Sequence, residues 1–388
     1  MMPGARDLTI AILWQGVYPW DVRIEKFIRA LSAYKVLIIC RARRGMSRHE
    51  VDGNVEIFRI GTLPFPFNPW WLMRCLHILN KNNVSLIIFR DLPVAWLGIT
   101  AGILRGVPTI FDMAENYPAA LVAYNRKRYK LIVSGNALLP RLYEKWAVNM
   151  SSRVIVVADE QKERLVKAGA PTEKIAAVLN TPCAEQTASC GASSARNNEK
   201  RFLYTGKIDA HRGVDVAVRA FAAIAEKYPF ASLVIAGSGR DAEKLKVLSR
   251  QLGIKDRVHF SGWVSHDEVY RHIAASYACL IPHIVSEHTQ TTLPNKLFDY
   301  MAMSKPIISS DMSPVKNIVF RYRCGLIFKS GDTAGLARQM AALLDNPRAA
   351  ELGRNGYQAV QSRFNWPRDS ATLLNIISSF SPPGRRPI

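Results

Sequence analysis

The chain has 388 residues, 48% hydrophobic and 21% charged, which is too long for one ordinary core and excludes wholesale disorder. Lys and Arg outnumber Asp and Glu by 52 to 31, a formal net charge of +21, so the expected partners are anionic: nucleic acid, an acidic membrane surface or a phosphorylated small substrate. The six cysteines (Cys40, Cys75, Cys183, Cys190, Cys279, Cys324) are scattered without a CxxC pair, which fits reduced, mostly buried thiols in a cytoplasmic protein and gives zinc no ligand spacing.

In chain order, the opening "MMPGARDLTIAILWQG" lacks the long apolar run of a signal peptide. "LTIAILW" is a near-continuous apolar run, the mark of a strand buried on both faces, and "YKVLIICRA", "SLIIFR", "PTIFDM" and "RVIVVAD" repeat it. Helical stretches such as "DVRIEKFIRALSAY" and "LPVAWLGITAGILRG" lie between them. The longest uncharged apolar run, at 92–104, is too short for a bilayer span, which needs about 20 residues. "NTPCAEQTASCGASSARNNEK" has no periodicity and reads as a linker. After it, "RFLYTG", "SLVIAG", "RVHFSG", "ACLIPH", "KPIISS" and "CGLIFK" are strands, and "VDVAVRAFAAIAEKY", "DAEKLKVLSRQLG", "HDEVYRHIAAS" and "TAGLARQMAALLDN" are helices. Strands alternating with helices predict a parallel sheet covered on both faces, twice over. The expected division is residues 1–180, a linker at 181–200, a second domain at 201–365 and a C-terminal helix at 366–388 crossing back to the first domain. Ligands of such sheets bind outside the carboxyl ends of the strands, and two such domains would offer a cleft.

Several loops carry chemistry. "TGKIDAHRGVD" places Lys207 and Arg212 before a helix start near Val214, and cations with helix-end amides suit a diphosphate. A solvated basic loop is the plainer reading. "AGSGRDA" fits the degenerate dinucleotide pattern G-x-G-x-x-A but in the wrong βα unit, so Gly237 is read as a tight turn beside a ligand. In "WQGVYPWDVRIEK", Gly16 can bring backbone close to a phosphate or sugar, while Arg23 and Lys26 face either a ligand or solvent. "FDMAENYP" puts Asp112 and Glu115 at a strand end, where they serve catalysis or cap the next helix. No HExxH, D-x-D, G-x-S-x-G or Walker A sequence occurs. "TTLPNKLFDYMAMSKPIISS" reads as loop, short helix and buried strand, with one acid, Asp299, on the helix.

The run "YTGKIDAHRGVDVAVRAF", "LVIAGSGRDAEKL", "DRVHFSGWVS", "LPNKLFDYMAMSKPIISSD", "CGLIFKSGD" and "FNW" resembles the family 4 glycosyltransferases, and "YPWDVRIEKFIRAL", "VDGNVEIFRIG" and "RVIVVADEQKERL" before "NTP" resemble them more loosely. The resemblance covers nearly the whole chain. It implies an α/β GT-B fold, with two Rossmann-like doubly wound domains facing a central cleft. It also implies a retaining transferase that needs no metal or other cofactor and takes a nucleotide-sugar donor, a UDP sugar, mainly on the C-terminal domain. Lys207 and Arg212 match the family's diphosphate cations, Trp263 the position whose backbone reads the base, and Asp299 the second acid of the E-x7-E motif, which grips the ribose hydroxyls. The departures are Thr291 where the first acid stands, Asp299 one methylene shorter than Glu, and Ala114 where a His often precedes the Glu. Thr291, Thr292 and Leu293 would then offer hydroxyls and amides to the phosphates, and Glu115 is the remaining catalytic candidate in the first domain.

The charge needs a partner. "YNRKRYKLIV" mixes cations with apolar residues, and "PFPFNPWWLMRCLHIL" adds two Phe and two Trp. Basic residues are worth about 1 kcal/mol each near an anionic leaflet, and Trp prefers the headgroup level. The expectation is a cytoplasmic enzyme peripheral to the inner face of the membrane, acting on a lipid-linked or saccharide acceptor; the plainer reading makes these aromatics core. A GT-B nucleotide-sugar epimerase is the alternative enzyme, distinguished by turnover without an acceptor. A nucleic-acid-binding protein is the alternative of another class, though no helix-turn-helix, RRM or zinc-finger pattern supports it.

Overall fold

The structure, a computed structural model, describes residues 8–19, 21–61, 68–123, 138–183 and 199–380. The chain forms two compact units, one of residues 1–180 with 369–388 and one of residues 181–368. The segment 124–133, which holds the basic loop, and Cys190 lie outside the described residues.

The first unit is built on eight strands: β1 (Thr9–Trp14), β2 (Lys35–Arg41), β3 (His49–Asp52), β4 (Val55–Ile60), β5 (Leu86–Arg90), β6 (Thr109–Met113), β7 (Arg153–Val156) and β8 (Ile175–Ala177). Their order across the sheet is β3-β4-β2-β1-β5-β6-β7-β8, parallel throughout except for the β3–β4 pair. Between them run α1 (Val22–Ala30), α2 (Pro69–Lys81), α3 (Ala95–Arg105), α4 (Tyr117–Ala123), α5 (Leu138–Met150) and α6 (Asp159–Lys167). The apolar runs become the central strands, and Ile10, Ile38, Ile87 and Phe111 are wholly buried. Local signals set the helix starts. Asp21 caps α1 by accepting from the amides of Arg23 and Ile24, and Asn68 caps α2 ahead of Pro69. The edge hairpin β3–β4 was not expected from the sequence, because all four residues of β3 are exposed and none forms an apolar run.

The second unit carries all six expected strands: β9 (Lys200–Thr205), β10 (Ala231–Ala236), β11 (Val258–Gly262), β12 (Ala278–Ile281), β13 (Ile307–Ser310) and β14 (Gly325–Phe328). They form one parallel sheet in the order β11-β10-β9-β12-β13-β14. The helices are α7 (Val214–Ala225), α8 (Ala242–Gln251), α9 (His266–Ala274), α10 (Lys296–Ala302), α11 (Ser313–Tyr322), α12 (Thr333–Leu344) and α13 (Ala349–Ser362), and α14 (Trp366–Ser378) follows.

Each sheet reverses its strand order once, between β1 and β5 in the first unit and between β9 and β12 in the second. Such a switch point opens a crevice at the strand carboxyl ends, because the two flanking connections leave in opposite directions. In the second unit the loops there pack backbone on backbone. The Gly206 amide donates to Ala236 at 2.9 Å, Ile208 to Ser238 at 3.0 Å, Asp241 to Ile208 at 3.1 Å and Ile284 to His211 at 3.0 Å. Two glycines make this possible. A Cβ on Gly237 would fall on the Gly206 carbonyl, and one on Gly213 (φ 62°) on the Pro282 carbonyl. Gly213→Ala meets both the backbone clash and the left-handed conformation, so its urea midpoint should report a loss of at least about 2 kcal/mol. A midpoint unchanged from wild type would contradict this packing.

Candidate functional site

At the switch point of the second unit the structure gathers Arg212, His283, Lys296 and Asp299. Arg212 leaves the turn before α7, and its Nη1 lies 3.4 Å from Nε2 and 3.5 Å from Nδ1 of His283. Its Nε is buried with no hydrogen-bond partner among the described residues. His283 follows β12 and is almost wholly buried. Burial, and then the charges of Lys296 and Arg212, hold it well below the usual histidine range, so it is neutral. His211 is pushed down to about 4 by burial and by Arg212.

Lys296 opens α10 and points back at β9. Its Nζ stands 4.0 Å from the centre of the Tyr204 ring and 3.0 Å from where a Cβ on Gly206 would be. Burial, and then Arg212, push its pKa well below the ordinary lysine value, and Asp299 opposes them. Asp299 is thus the carboxylate that opposes burial and Arg212 at Lys296. Its Oδ1 accepts from the Tyr270 hydroxyl at 3.1 Å, which fixes the carboxylate on the side of the β11–α9 connection. Tyr204 also donates to the Lys207 carbonyl at 2.6 Å, and the Lys207 side chain is exposed. A buried guanidinium nitrogen without a partner among the described residues, a lysine whose charged form burial disfavours and exposed Lys207 beside the joined loops are what an anion such as a diphosphate would satisfy.

The remaining sequence candidates take other places. Trp263, 78% exposed, stands on the loop after β11. The hydroxyls of Thr291 and Thr292 both donate to the His288 carbonyl, at 3.1 and 3.0 Å. They shape the turn before α10, so their hydrogens are directed into the loop, while Leu293 at its end is half-buried. Lys296 and His283 were not anticipated. In sequence Lys296 looks like any helix-surface lysine, and only the fold of Tyr204 and Gly206 over it removes it from water.

In the first unit, Arg23 and Lys26 are both buried, which corrects the expectation of a solvated helix face. Arg23 grips Asp112 with its Nε (3.0 Å to both carboxylate oxygens) and Nη2 (2.7 Å), and donates through Nη1 to the Val178 carbonyl at 3.0 Å. Lys26 donates to Asn180 at 3.2 Å. Asp112 is therefore neutralised in place, and Glu115, half-buried, follows β6. Gly16 sits beneath the Trp14 indole, where any Cβ would meet the ring. The acid that sequence reasoning missed is Asp91, at the carboxyl end of β5 and beside the switch point. It holds φ 75°, unusual for a non-glycine, with its amide donating to the Asp112 carbonyl at 3.0 Å. Its Oδ1 is buried without a hydrogen-bond partner among the described residues. Burial pushes it up to about 6, against the lowering effect of Arg90 and of a hydrogen bond with Tyr117. A strained backbone and a raised carboxyl together mark functional positions more often than structural ones. Among the described residues no group of three or more His, Cys, Asp or Glu side chains is placed to hold a metal ion.

Two parallel α/β units, each with its polar groups at a strand-order reversal, define the GT-B class of fold. The solved structure of Anabaena HepE in complex with UDP has it too: the TM-score is 0.72 over 96% of this chain and 100% of that one, at 15% identity. The family model for glycosyl transferases group 1 matches residues 187–359, and that for glycosyltransferase family 4 matches residues 22–181. The chain belongs to this glycosyltransferase family and is a transferase enzyme. An uncharacterized glycosyltransferase of Haemophilus influenzae is 27% identical over 305 residues, 77% of this chain and 78% of that protein. A putative colanic acid biosynthesis glycosyltransferase of Escherichia coli, WcaL, is 24% identical over 294 residues, 72% and 68% of the two chains.

The Asp91 carboxyl makes a pH prediction. Because its folded pKa lies above the unfolded value of about 3.9, the stability it allows is present below that value and falls as pH rises toward about 6. Over that window wild type should lose up to about 3 kcal/mol from this group. Asp91→Asn should remove that loss, so the difference in stability between variant and wild type, followed by urea unfolding at several pH values, should grow from pH 4 to pH 7. A difference that stays flat with pH would show that Asp91 ionises freely.

Proposed function

We propose that this enzyme moves a sugar from a nucleoside-diphosphate sugar, a UDP sugar, to an acceptor hydroxyl with retention of anomeric configuration and without a metal ion. The observation that carries the reading is the set Arg212, Lys296 and neutral His283 around the loop carbonyls and amides at the β9–β12 switch point. As the bond between the sugar carbon and the phosphate oxygen breaks, negative charge grows on the leaving diphosphate. Preorganised cations held out of water stabilise that charge without reorganising. Arg212 offers its unpartnered Nε, and Lys207 closes the set from the exposed side. Asp299, held by Tyr270, takes two hydrogen bonds from the ribose diol. The acceptor oxygen bonds to the sugar carbon on the face the diphosphate leaves, and its proton passes to a diphosphate oxygen. The first unit supplies the acceptor side, where Asp91 and Glu115, at the ends of β5 and β6, stand to hold a hydroxyl.

The HepE complex with UDP supports a uridine diphosphate donor, and the colanic acid relative supports an acceptor in cell-envelope or exopolysaccharide synthesis, lipid-linked or saccharide. Among the described residues no helix is long and apolar enough to cross a membrane. We place the enzyme on the cytoplasmic side of the membrane, bound at its inner face.

The reading is tested by calorimetry and thermal shift with UDP, GDP, ADP and dTDP sugars. UDP sugars should stabilise the protein, by about 2.7 kcal/mol at 100 times Kd, and the others should not. Arg212→Ala should lower turnover about 10²-fold or more. Lys296→Ala should weaken UDP binding, because it removes one of the cations that face the diphosphate. A protein that binds none of these nucleotides, or variants that bind them as wild type does, would end this reading.

A further inference from the structure

The first unit holds a second polar hollow, remote in sequence from Asp91 and Glu115. It is a pocket of about 220 Å³ between β4 and α2, lined among others by Arg48, Arg59, Arg74, His77 and Lys81, with no carboxylate in its wall. On α2, Trp70, Arg74, His77 and Lys81 recur every three or four residues, so they share one helix face. The opposite face is core: Trp71, Cys75 and Leu79 are buried. Arg59 enters from β4 and is itself almost wholly buried. Its Nη1 donates to Glu50 at 2.8 Å and to the Ser47 carbonyl at 3.0 Å, while its Nε is buried without a hydrogen-bond partner among the described residues. Glu50 is half-exposed and answers one charge of the four Arg and Lys around the hollow. Beside the pocket, at the start of α2, Trp70 is 42% and Met73 70% exposed, and the Arg74 guanidinium lies 4.9 Å over the Trp70 ring.

Exposed Arg48, Arg74 and Lys81, with one carboxylate answering Arg59, attract anions, and an indole and a thioether left in water beside them suit the headgroup level of a bilayer. We infer that this pocket is a docking site for the phosphate of an anionic phospholipid headgroup, with Arg74 and Lys81 at the mouth, Arg59 at the base, and Trp70 and Met73 entering the lipid beside it. The inference rests on the peripheral-membrane part of the proposed function and is independent of the donor site.

Co-sedimentation of the full chain with phosphatidylglycerol–phosphatidylcholine vesicles, against phosphatidylcholine alone, tests it. Wild type should sediment with the anionic vesicles only, and less as salt rises. Each cation near the leaflet is worth about fivefold in partitioning, so Arg74→Ala/Lys81→Ala should bind about 30-fold more weakly. A control pair on exposed positions of the second unit, Arg250→Ala/Lys255→Ala, removes the same charge and should bind about as wild type does. Trp70→Ala/Met73→Ala keeps every cation and should also lose affinity. UDP binding, measured on the same preparations, should be unchanged in all of them, so a failed donor reading and a failed docking site give different results. Four outcomes would overturn the inference: no sedimentation of wild type, equal loss in the control pair, retained binding by both α2 variants, or protection of the pocket by inorganic phosphate without vesicle binding.

Discussion

The second unit depends on carbonyls and amides meeting with no side chain between them. Where the strand order reverses, the loops after β9, β10 and β12 are joined by main-chain hydrogen bonds, and Gly213, Gly237 and Gly239 each lack a Cβ that would fall on a neighbouring carbonyl. This closeness has an electrostatic result. The side chains that leave these loops, Arg212 and His283, and the lysine that opens α10 cannot be fully hydrated, because the backbone occupies the space water would need. A charge taken from water without a counter-charge is unstable by several kcal/mol, so burial leaves His283 neutral and disfavours the charged form of Lys296, an effect that Asp299 opposes. The hollow is ready for an anion because the glycines made it tight.

The first unit treats charge differently at its own reversal. There Asp112 is fully paired with Arg23, while Asp91 meets Arg90 at 3.8 Å and keeps one buried oxygen without a hydrogen-bond partner among the described residues. The reversal of one unit therefore carries cations with a single acid, and that of the other carries carboxylates interleaved with arginines. For a family that moves sugars this is a chemically sensible division, since a leaving diphosphate needs cations and a hydroxyl needs hydrogen-bond acceptors.

Much of the architecture was legible because buried parallel strands announce themselves as apolar runs, as β1, β10 and β12 do. The exceptions have physical causes. β3 is an exposed antiparallel edge of four residues, so no burial shaped its composition, and β8 is three residues long. The motif residues Lys207, Arg212 and Asp299 could be named from order and spacing. Lys296, His283 and Asp91 could not, because their character comes from tertiary surroundings. A lysine on a short helix, a histidine after a strand and an aspartate before a proline turn look ordinary until Tyr204, Arg212 and a left-handed φ are placed around them. The burial of Arg23 and Lys26 was hidden for the same reason, since their partners lie 89 and 154 residues away.

That last separation bears on how the chain is made. Arg23 belongs to the first helix, yet its guanidinium is met by Asp112 and by the carbonyls of Val178 and Leu179. While the polypeptide is still emerging from the ribosome, this arginine has no place to be buried. A guanidinium enclosed without its carboxylate would destabilise the nascent sheet by several kcal/mol. The native setting of the first helix therefore closes only after β6 has supplied Asp112, and residues 178 and 179 complete it from the far end of the unit.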